Sequence, residues 1–351
     1  MIEQLYSKSF ASDNHAGAHP AVLEAVSSAN TGDAPAYGDD RWTATLAEQI
    51  HAEFGDQATS LVVLNGTGAN MVALSLMLER RYHAIICPET AHIATHETGA
   101  SERVLGVKLV TVPTPAGKLV PADVTARLGG RGNISEVQPR VVSISEVTEL
   151  GTCYTPDEIA ALAETAHDNG MLLHMDGARI ANAAAFLGCS LRALTTDAGV
   201  DVVSFGASKN GALVGEAVVV LRPELAEAGA YLRRQTLQLA SKMRFVSVQL
   251  SALLTDELWR RNAVHANAMA RRLADGVADL PGLGIQWPVE SNAVFASLPT
   301  EAISELQARY LFHTWDAPRG IVRWMTAFDT SPDDVDIFVN DIHQTLKRLA
   351  G

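Results

Sequence analysis

Cysteine is nearly missing from this sequence: Cys87, Cys153 and Cys189 are the only three, and they stand far apart. An odd number at such spacing gives neither a disulfide framework nor the close pairs of a zinc site, and it suits a reducing compartment. Positive charge is also in deficit. Lys and Arg total 27 against 40 Asp and Glu, a net −13 with His neutral, so the chain lacks the attraction for nucleic acid or anionic lipid that a basic surface provides. Long apolar runs do not occur; the richest stretch, GALVGEAVVVL, is short and contains Glu216. The opening MIEQLYSKSF has no basic segment leading into an apolar core. The expectation is a soluble, cytoplasmic protein that binds neither nucleic acid nor membrane.

What is present is enough apolar material for a large core. The chain has 351 residues, 47% hydrophobic and 19% charged, and at this length roughly three quarters of the unfolded surface can be buried. Seven short runs rich in Val, Ile and Leu read as strands: Leu61–Leu64, Ala84–Cys87, Val107–Val112, Arg140–Ser145, Met171–Met175, Val202–Phe205 and Ala217–Leu221. Most are apolar on both faces, which predicts a largely parallel sheet covered by helices. One helix is marked at its start by Thr155, Pro156 and Glu158, the elements of a capping box with a first-turn proline, and should end near Asn169 before Gly170. A long helical region with few breakers follows from about Pro223 to Ala278. Beyond it, Ala293–Leu298 and Ile321–Met325 read as strands, and Ser331, Pro332 and Asp333 start a terminal helix. The predicted layout is an N-terminal segment (1–30) packing near the junction of a large α/β domain (31–255) and a smaller C-terminal α+β domain (256–351).

Three places could carry chemistry. Asn65, Gly66, Thr67 and Gly68 lie between a strand and an apolar helix, where free backbone N–H groups can cradle a phosphate. Met71 stands where a dinucleotide fingerprint needs its third glycine, and no Gly-Lys-Ser/Thr follows, so a small phosphorylated cofactor fits better than a nucleotide. The run MLLHMDGAR ends a strand with Asp176 and then offers Arg179, at the edge where α/β sheets bind ligands. In VDVVSFGASKNG, Lys209 follows a buried strand among small residues, with Ser204, Gly206 and Ser208 nearby, which suits a lysine of lowered pKa for Schiff-base chemistry. Taken singly, these also read as a Gly-rich turn, a helix-capping acid and a solvated lysine. His92 and His96 lie one helical turn apart with Glu97 beside them, but no third ligand stands at readable spacing, so no metal site is expected. Taken together, an anion site, a strand-end acid and a later lysine are what pyridoxal phosphate needs.

With these residues in view, the sequence resembles the threonine aldolase family of pyridoxal-phosphate enzymes, in its low-specificity and phenylserine aldolase branch. The matching stretches are SDNHAGAHP from Ser12, YGDD from Tyr37, NGTGAN from Asn65, AHI from Ala91, HETGA from His96, GVKL from Gly106, HMDGARIANA from His174, SFGASKNG from Ser204, QLASKMRF from Gln238, and Arg323 in GIVRWMTAFDT. They run through nearly the whole chain. The resemblance implies the fold type I architecture of pyridoxal-phosphate-dependent transferases and an aldehyde-lyase that releases glycine. It implies that Lys209 bonds the cofactor, Asp176 pairs with its pyridine nitrogen and His92 stacks on its ring. Gly66, Thr67 and Gly68 would hold the phosphate, with Glu97 and Ser204 also at the cofactor. Ser12, Arg179 and Arg323 would bind the substrate carboxylate, Arg179 also lying near the cofactor. His92 directly, or a water held by His92 or His96, would serve as base. Tyr37, Lys242 and Arg244 would stand at a site shared between subunits of a dimer or tetramer, Tyr37 toward the substrate and the other two toward the partner's phosphate. Many relatives have a histidine ahead of Arg140–Ser145 where this chain has Ser135, so its role in deprotonating the hydroxyl needs another group. β-Elimination, transamination or racemisation on the same cofactor, and a cofactor-binding protein without turnover, are the competing readings.

Overall fold

The seven apolar runs all become strands of one sheet. The computed structural model describes residues 8–350; Met1–Ser7, the beginning of the 1–30 segment, and Gly351 lie outside it. The strands are β1 (Thr59–Val63), β2 (His83–Pro88), β3 (Lys108–Val112), β4 (Gln138–Ser145), β5 (Leu172–Gly177), β6 (Val202–Gly206) and β7 (Glu216–Val220), in the order β1-β7-β6-β5-β4-β2-β3. Pairing is parallel except for β7, which runs antiparallel to both β1 and β6. Six strands therefore end at the same edge. Val62, Ile86, Val142 and Ile144 pack into one apolar cluster and Leu61, Val63, Ile85, Cys87 and Val141 into another, so each strand feeds a core on both faces of the sheet. β4 starts earlier than its apolar run and includes Pro139. Proline cannot donate to the ladder, and the pairing of β2 with β4 shifts there, Ala84 opposing Pro139 and Ile85 opposing Val141.

The capping box forms as read. Thr155 Oγ1 accepts from the Glu158 N–H (3.2 Å) and Glu158 Oε2 accepts from the Thr155 N–H (2.7 Å), opening a helix over Pro156–Asp168. The long helical region is a correction. In place of one stretch there are helices at Gly229–Gln235, Arg244–Leu254 and Leu258–Val277. The chain leaves the first through Leu237 (φ 63°) and turns between the other two at Asp256 and Glu257 (φ 50° and 52°). Neither break involves Gly or Pro, so breaker counting had no signal for it.

A second, antiparallel sheet has the order β10-β11-β9-β8, with β8 (Gly284–Ile285), β9 (Ala293–Ser297), β10 (His313–Asp316) and β11 (Ile321–Met325). β8 and β10 have no apolar run and escape sequence reading. The N-terminal chain joins this sheet: Phe10 N–H donates to Leu311 O, Met325 N–H donates to Phe10 O, and the Phe10 ring stacks on Phe338 at 4.4 Å. The terminal helix Pro332–Ala350 covers the same core. Among the described residues no helix is long and apolar enough to cross a membrane.

Candidate active site

Strand register assembles the site. Ser145, Asp176 and Ser204 are direct partners across β4, β5 and β6 at the carboxyl edge, so their backbones are spaced by about 4.8 Å each. His174, two residues before Asp176 on the same face, hydrogen-bonds Ser143 Oγ (2.9 Å) and Ser204 Oγ (3.3 Å). Burial drives its pKa down to about 4, so it sits there neutral. Two adjoining cavities open at this edge, of about 340 and 480 Å3, and Asn14, His92 and Lys209 line both.

The smaller cavity has Asn65, Gly66, Thr67, Asp176, Ser204 and Lys209 in its wall. The helix Gly66–Met77 begins here. Asn65 caps it by accepting the Gly68 N–H (2.8 Å), and a Cβ on Gly66 would meet no atom within 4 Å. Gly66 and Thr67 thus face open space at a helix N-terminus, while the Gly68 N–H is taken by the cap and Gly68 is covered by Gln238. Asp176 Oδ2 accepts from Asn70 Nδ2 (2.9 Å) and Oδ1 from the Ala178 N–H (3.0 Å). Burial alone would raise its pKa; the Lys209 charge and the Asn70 hydrogen bond outweigh it and hold the carboxyl below its ordinary value. Lys209, on the turn Ser208–Asn210 after β6, is reached from the cavities but shielded from bulk water. Burial and then the Arg179 charge lower its pKa, against Asp13, Asp176 and Glu216.

Asn70 links Asp176 to buried Glu97 (2.8 Å), and Glu97 Oε1 bonds His92 Nδ1 (2.8 Å). His92, Glu97 and Asp176 could offer three metal-ligand atoms within 4.8 Å of one another. The Asn70 amide donates to Glu97 Oε1 and Asp176 Oδ2, so both acids already accept an N–H group there. The His92 and His96 rings stack at 5.7 Å, and both line the larger cavity. Burial, then the charges of His92 and Arg323, lower the His96 pKa.

The larger cavity carries two guanidiniums. Arg179 makes a two-pronged pair with buried Asp13 (Nε to Oδ2 2.7 Å, Nη2 to Oδ1 2.9 Å), which more than offsets burial and raises its pKa. Asn292 also donates to Asp13. Arg323, on β11, donates to Ala11 O (3.1 Å) and lies 5.5 Å over Trp315, but its buried Nε has no partner. Burial, followed by repulsion from Arg179, lowers its pKa to about 10. Arg179 already has its counter-charge in Asp13, so it is Arg323 that leaves an uncompensated cation beside the cavity and calls for an anion. Ser12 lines the same wall.

Tyr37, Lys242 and Arg244 line neither cavity. Tyr37 donates its N–H to Ser241 O and lies under Arg234, Lys242 is exposed, and Arg244 bonds Gly32 O. Ser135 is on an exposed turn before β4, at the far end of that strand from Ser145, and is absent from both walls. Sequence reading missed Asp13, Asn70, Glu149 and Asn292. Asn70 had a signal, a lone amide in an apolar helix; the others are recruited from loops distant in sequence.

Three comparisons bear on this arrangement. The sequence model of the β-eliminating lyase family matches residues 9–300. The low-specificity L-threonine aldolase of Pseudomonas aeruginosa is 44% identical, over 96% of this chain and 97% of its own. The enzyme of that name from Pseudomonas sp. (strain NCIMB 10558) is 43% identical, over 97% and 98%. The structure of Leishmania major threonine aldolase superposes with a TM-score of 0.91 at 32% identity, covering 98% of this chain and all of that one.

Proposed function

This chain belongs to the β-eliminating lyase family and to the threonine aldolases within it, and from that premise we infer a pyridoxal-phosphate-dependent aldehyde-lyase that splits L-threonine and related β-hydroxy-α-amino acids into glycine and an aldehyde. The observation that carries it is the pairing of a buried, low-pKa lysine and an ionised Asp176 with two guanidiniums on the adjoining wall. The residues present fit the cofactor. Gly66 leaves a helix N-terminus open for a phosphate, and Asp176 is held as the carboxylate that a pyridinium nitrogen requires. Lys209 would bond its aldehyde carbon, His92 would cover its ring, Ser204 and Glu97 would stand beside it, and Gly66 and Thr67 would hold its phosphate, the Gly68 N–H being taken by Asn65. Bound there, the cofactor supplies a sink for the electrons of a breaking bond to Cα.

The chain's own groups do the rest. Arg323, whose Nε lacks a partner, and Arg179 with Ser12 hold the substrate carboxylate. That grip decides which bond at Cα stands in the reactive direction, and so selects aldol cleavage over β-elimination or transamination. The lowered pKa of Lys209 makes its proton easier to give up than that of an ordinary lysine. Val147, Ala293, Trp315 and Met325 offer an apolar wall for the side chain, which suits phenylserine as well as L-threonine and L-allo-threonine.

We also place Tyr37, Lys242 and Arg244 at a site completed by a second subunit. They lie outside this chain's own cavities, and Tyr231 and Leu237, at 79% and 82% exposure on the neighbouring segment, leave apolar surface for a partner to cover. Three free cysteines, two of them buried, fit a cytoplasmic setting. The deciding experiment incubates the purified, cofactor-loaded protein with L-threonine, L-allo-threonine and both phenylserine diastereomers. Glycine with aldehyde is expected; ammonia with the 2-oxo acid that keeps the substrate's whole carbon chain, or the epimer inverted at Cα, would overturn the reading.

A further inference from the structure

Aldol cleavage needs a group to take the β-hydroxyl proton. Glu149, which follows β4 and lines the larger cavity beside His92, meets the geometric requirement. Its Oε1 is anchored by two donors, the Ser145 hydroxyl (2.7 Å) and the His92 backbone N–H (2.9 Å). Its Oε2 is sheltered and has no hydrogen-bond partner. A buried carboxyl oxygen left unpaired is costly unless something in the working state completes it. The terminal torsion of Glu is broad, so the anchored carboxyl can turn its free oxygen to the cavity. Among the described residues it is the one carboxylate in the wall of the larger cavity, where His92 Nδ1 is tied to Glu97 and His96 Nδ1 to Thr95 Oγ1, which leaves each imidazole only its Nε2 to offer.

We propose that Glu149 accepts the β-hydroxyl proton of the substrate as the Cα–Cβ bond breaks. The O–H bond breaks and its proton passes to the Glu149 carboxylate; its electron pair becomes the second bond of the aldehyde C=O. The Cα–Cβ pair stays with Cα, which takes a proton to give glycine, and Glu149 returns its own proton to water. No oxidant or reductant enters. The charged and titratable groups that Glu149 senses are consistent with this. Burial raises its pKa, Asp176 adds to that, and the Ser145 and His92 donors oppose it without cancelling it. Arg179 feels its charge in turn, as do Cys87 and Tyr154. A carboxylate whose pKa moves toward neutrality is a stronger base than an ordinary one.

The proposal rests on the aldol-cleavage reading, and its test separates the two. For the holoenzyme with Glu149→Gln, aldehyde release from L-threonine should fall by at least about 100-fold, the low end of what a positioned acid–base group contributes. Exchange of the glycine α-proton with D2O, which involves no hydroxyl, should be little changed. Equal losses in both, or unimpaired release, overturn the proposal; so does a His92→Asn variant that loses release while Glu149→Gln keeps it. An unaltered protein that exchanges glycine but never releases aldehyde sinks the parent reading as well. Thermal unfolding of the cofactor-free protein is a second readout. A raised folded-state pKa means stability lost as pH climbs from the ordinary 4.5 through the folded value, so the unaltered protein should lose ground to Glu149→Gln across that window; a constant difference counts against the buried, unpaired carboxyl. If Glu149→Gln does not fold, the unaltered enzyme decides. Its cleavage should show an acid limb that glycine exchange lacks, and coincident pH profiles overturn the proposal.

Discussion

Two side chains at the carboxyl edge of the sheet divide the electrostatic work. Asp176 stays charged because Lys209 and Asn70 outweigh its burial, and Lys209 is held at lowered pKa because burial and Arg179 outweigh three carboxylates. Lys209→Ala is therefore expected to purify without the yellow absorbance of bound cofactor; a coloured variant would show that another amine holds it. Asp176→Asn should keep most of its cofactor while turnover drops on the order of 100-fold, the scale of losing one aimed electrostatic group. Asp13 is the less obvious residue. Removing its charge leaves Arg179 buried without its partner, so Asp13→Asn should cost about 3–5 kcal/mol, read by denaturant unfolding. Burial opposes and Arg179 more than restores a lowered pKa at Asp13. The stabilisation is thus present above the ordinary value of 3.8 and lost as pH falls through the lower folded value. The unaltered protein should lose stability there and Asp13→Asn should not.

At the scale of elements, the site depends on how closely β5 and β6 approach as they leave the sheet. A Cβ on Gly206 would overlap the backbone of Ala178, just after Asp176. Gly206→Ala must push the two turns apart, and with them Asp176 and Lys209. Loss of cofactor retention together with a melting point several degrees lower is expected, since overpacking costs about 1–3 kcal/mol; an unchanged melting point would show that the turns yield freely. The strands themselves were legible in the sequence because a strand covered on both faces is apolar at most positions, which leaves short runs rich in Val, Ile and Leu. β8 and β10 were not, because a short edge strand needs no such run: β8 has two residues, and in β10, at the wall of the larger cavity, His313 and Thr314 are exposed and Trp315 is half-buried. The breaks at Leu237 and Asp256 escaped for a related reason, being set by the packing of neighbouring segments rather than by helix-breaking residues.

For the molecule as a whole, the cavity is assembled from both sheets and the N-terminal chain. In the wall of the larger cavity Lys209 comes from the turn after β6 of the large sheet, Arg323 and Trp315 from the small sheet, and Ser12 from the segment that Phe10 pins to the small sheet. Light scattering should find a dimer or larger. Lys242→Ala and Arg244→Ala should then weaken cofactor retention although neither residue touches this chain's own cavities. A monomer that holds its cofactor firmly would contradict the shared site.

Sequence alone determined the Val-, Ile- and Leu-rich strands, the capped helix over Pro156–Asp168 and the order of Asp176 and Lys209 along the chain, because each is written in short local stretches. Only the tertiary structure decided that Arg179 is paired with Asp13, that the Gly68 N–H is spent on Asn65, and that Glu149 stands beside His92 with one oxygen unpaired. The pairing of Arg179 with Asp13 and of Glu149 with His92 joins segments 166 and 57 residues apart, and no local pattern encodes the chain path that brings them together.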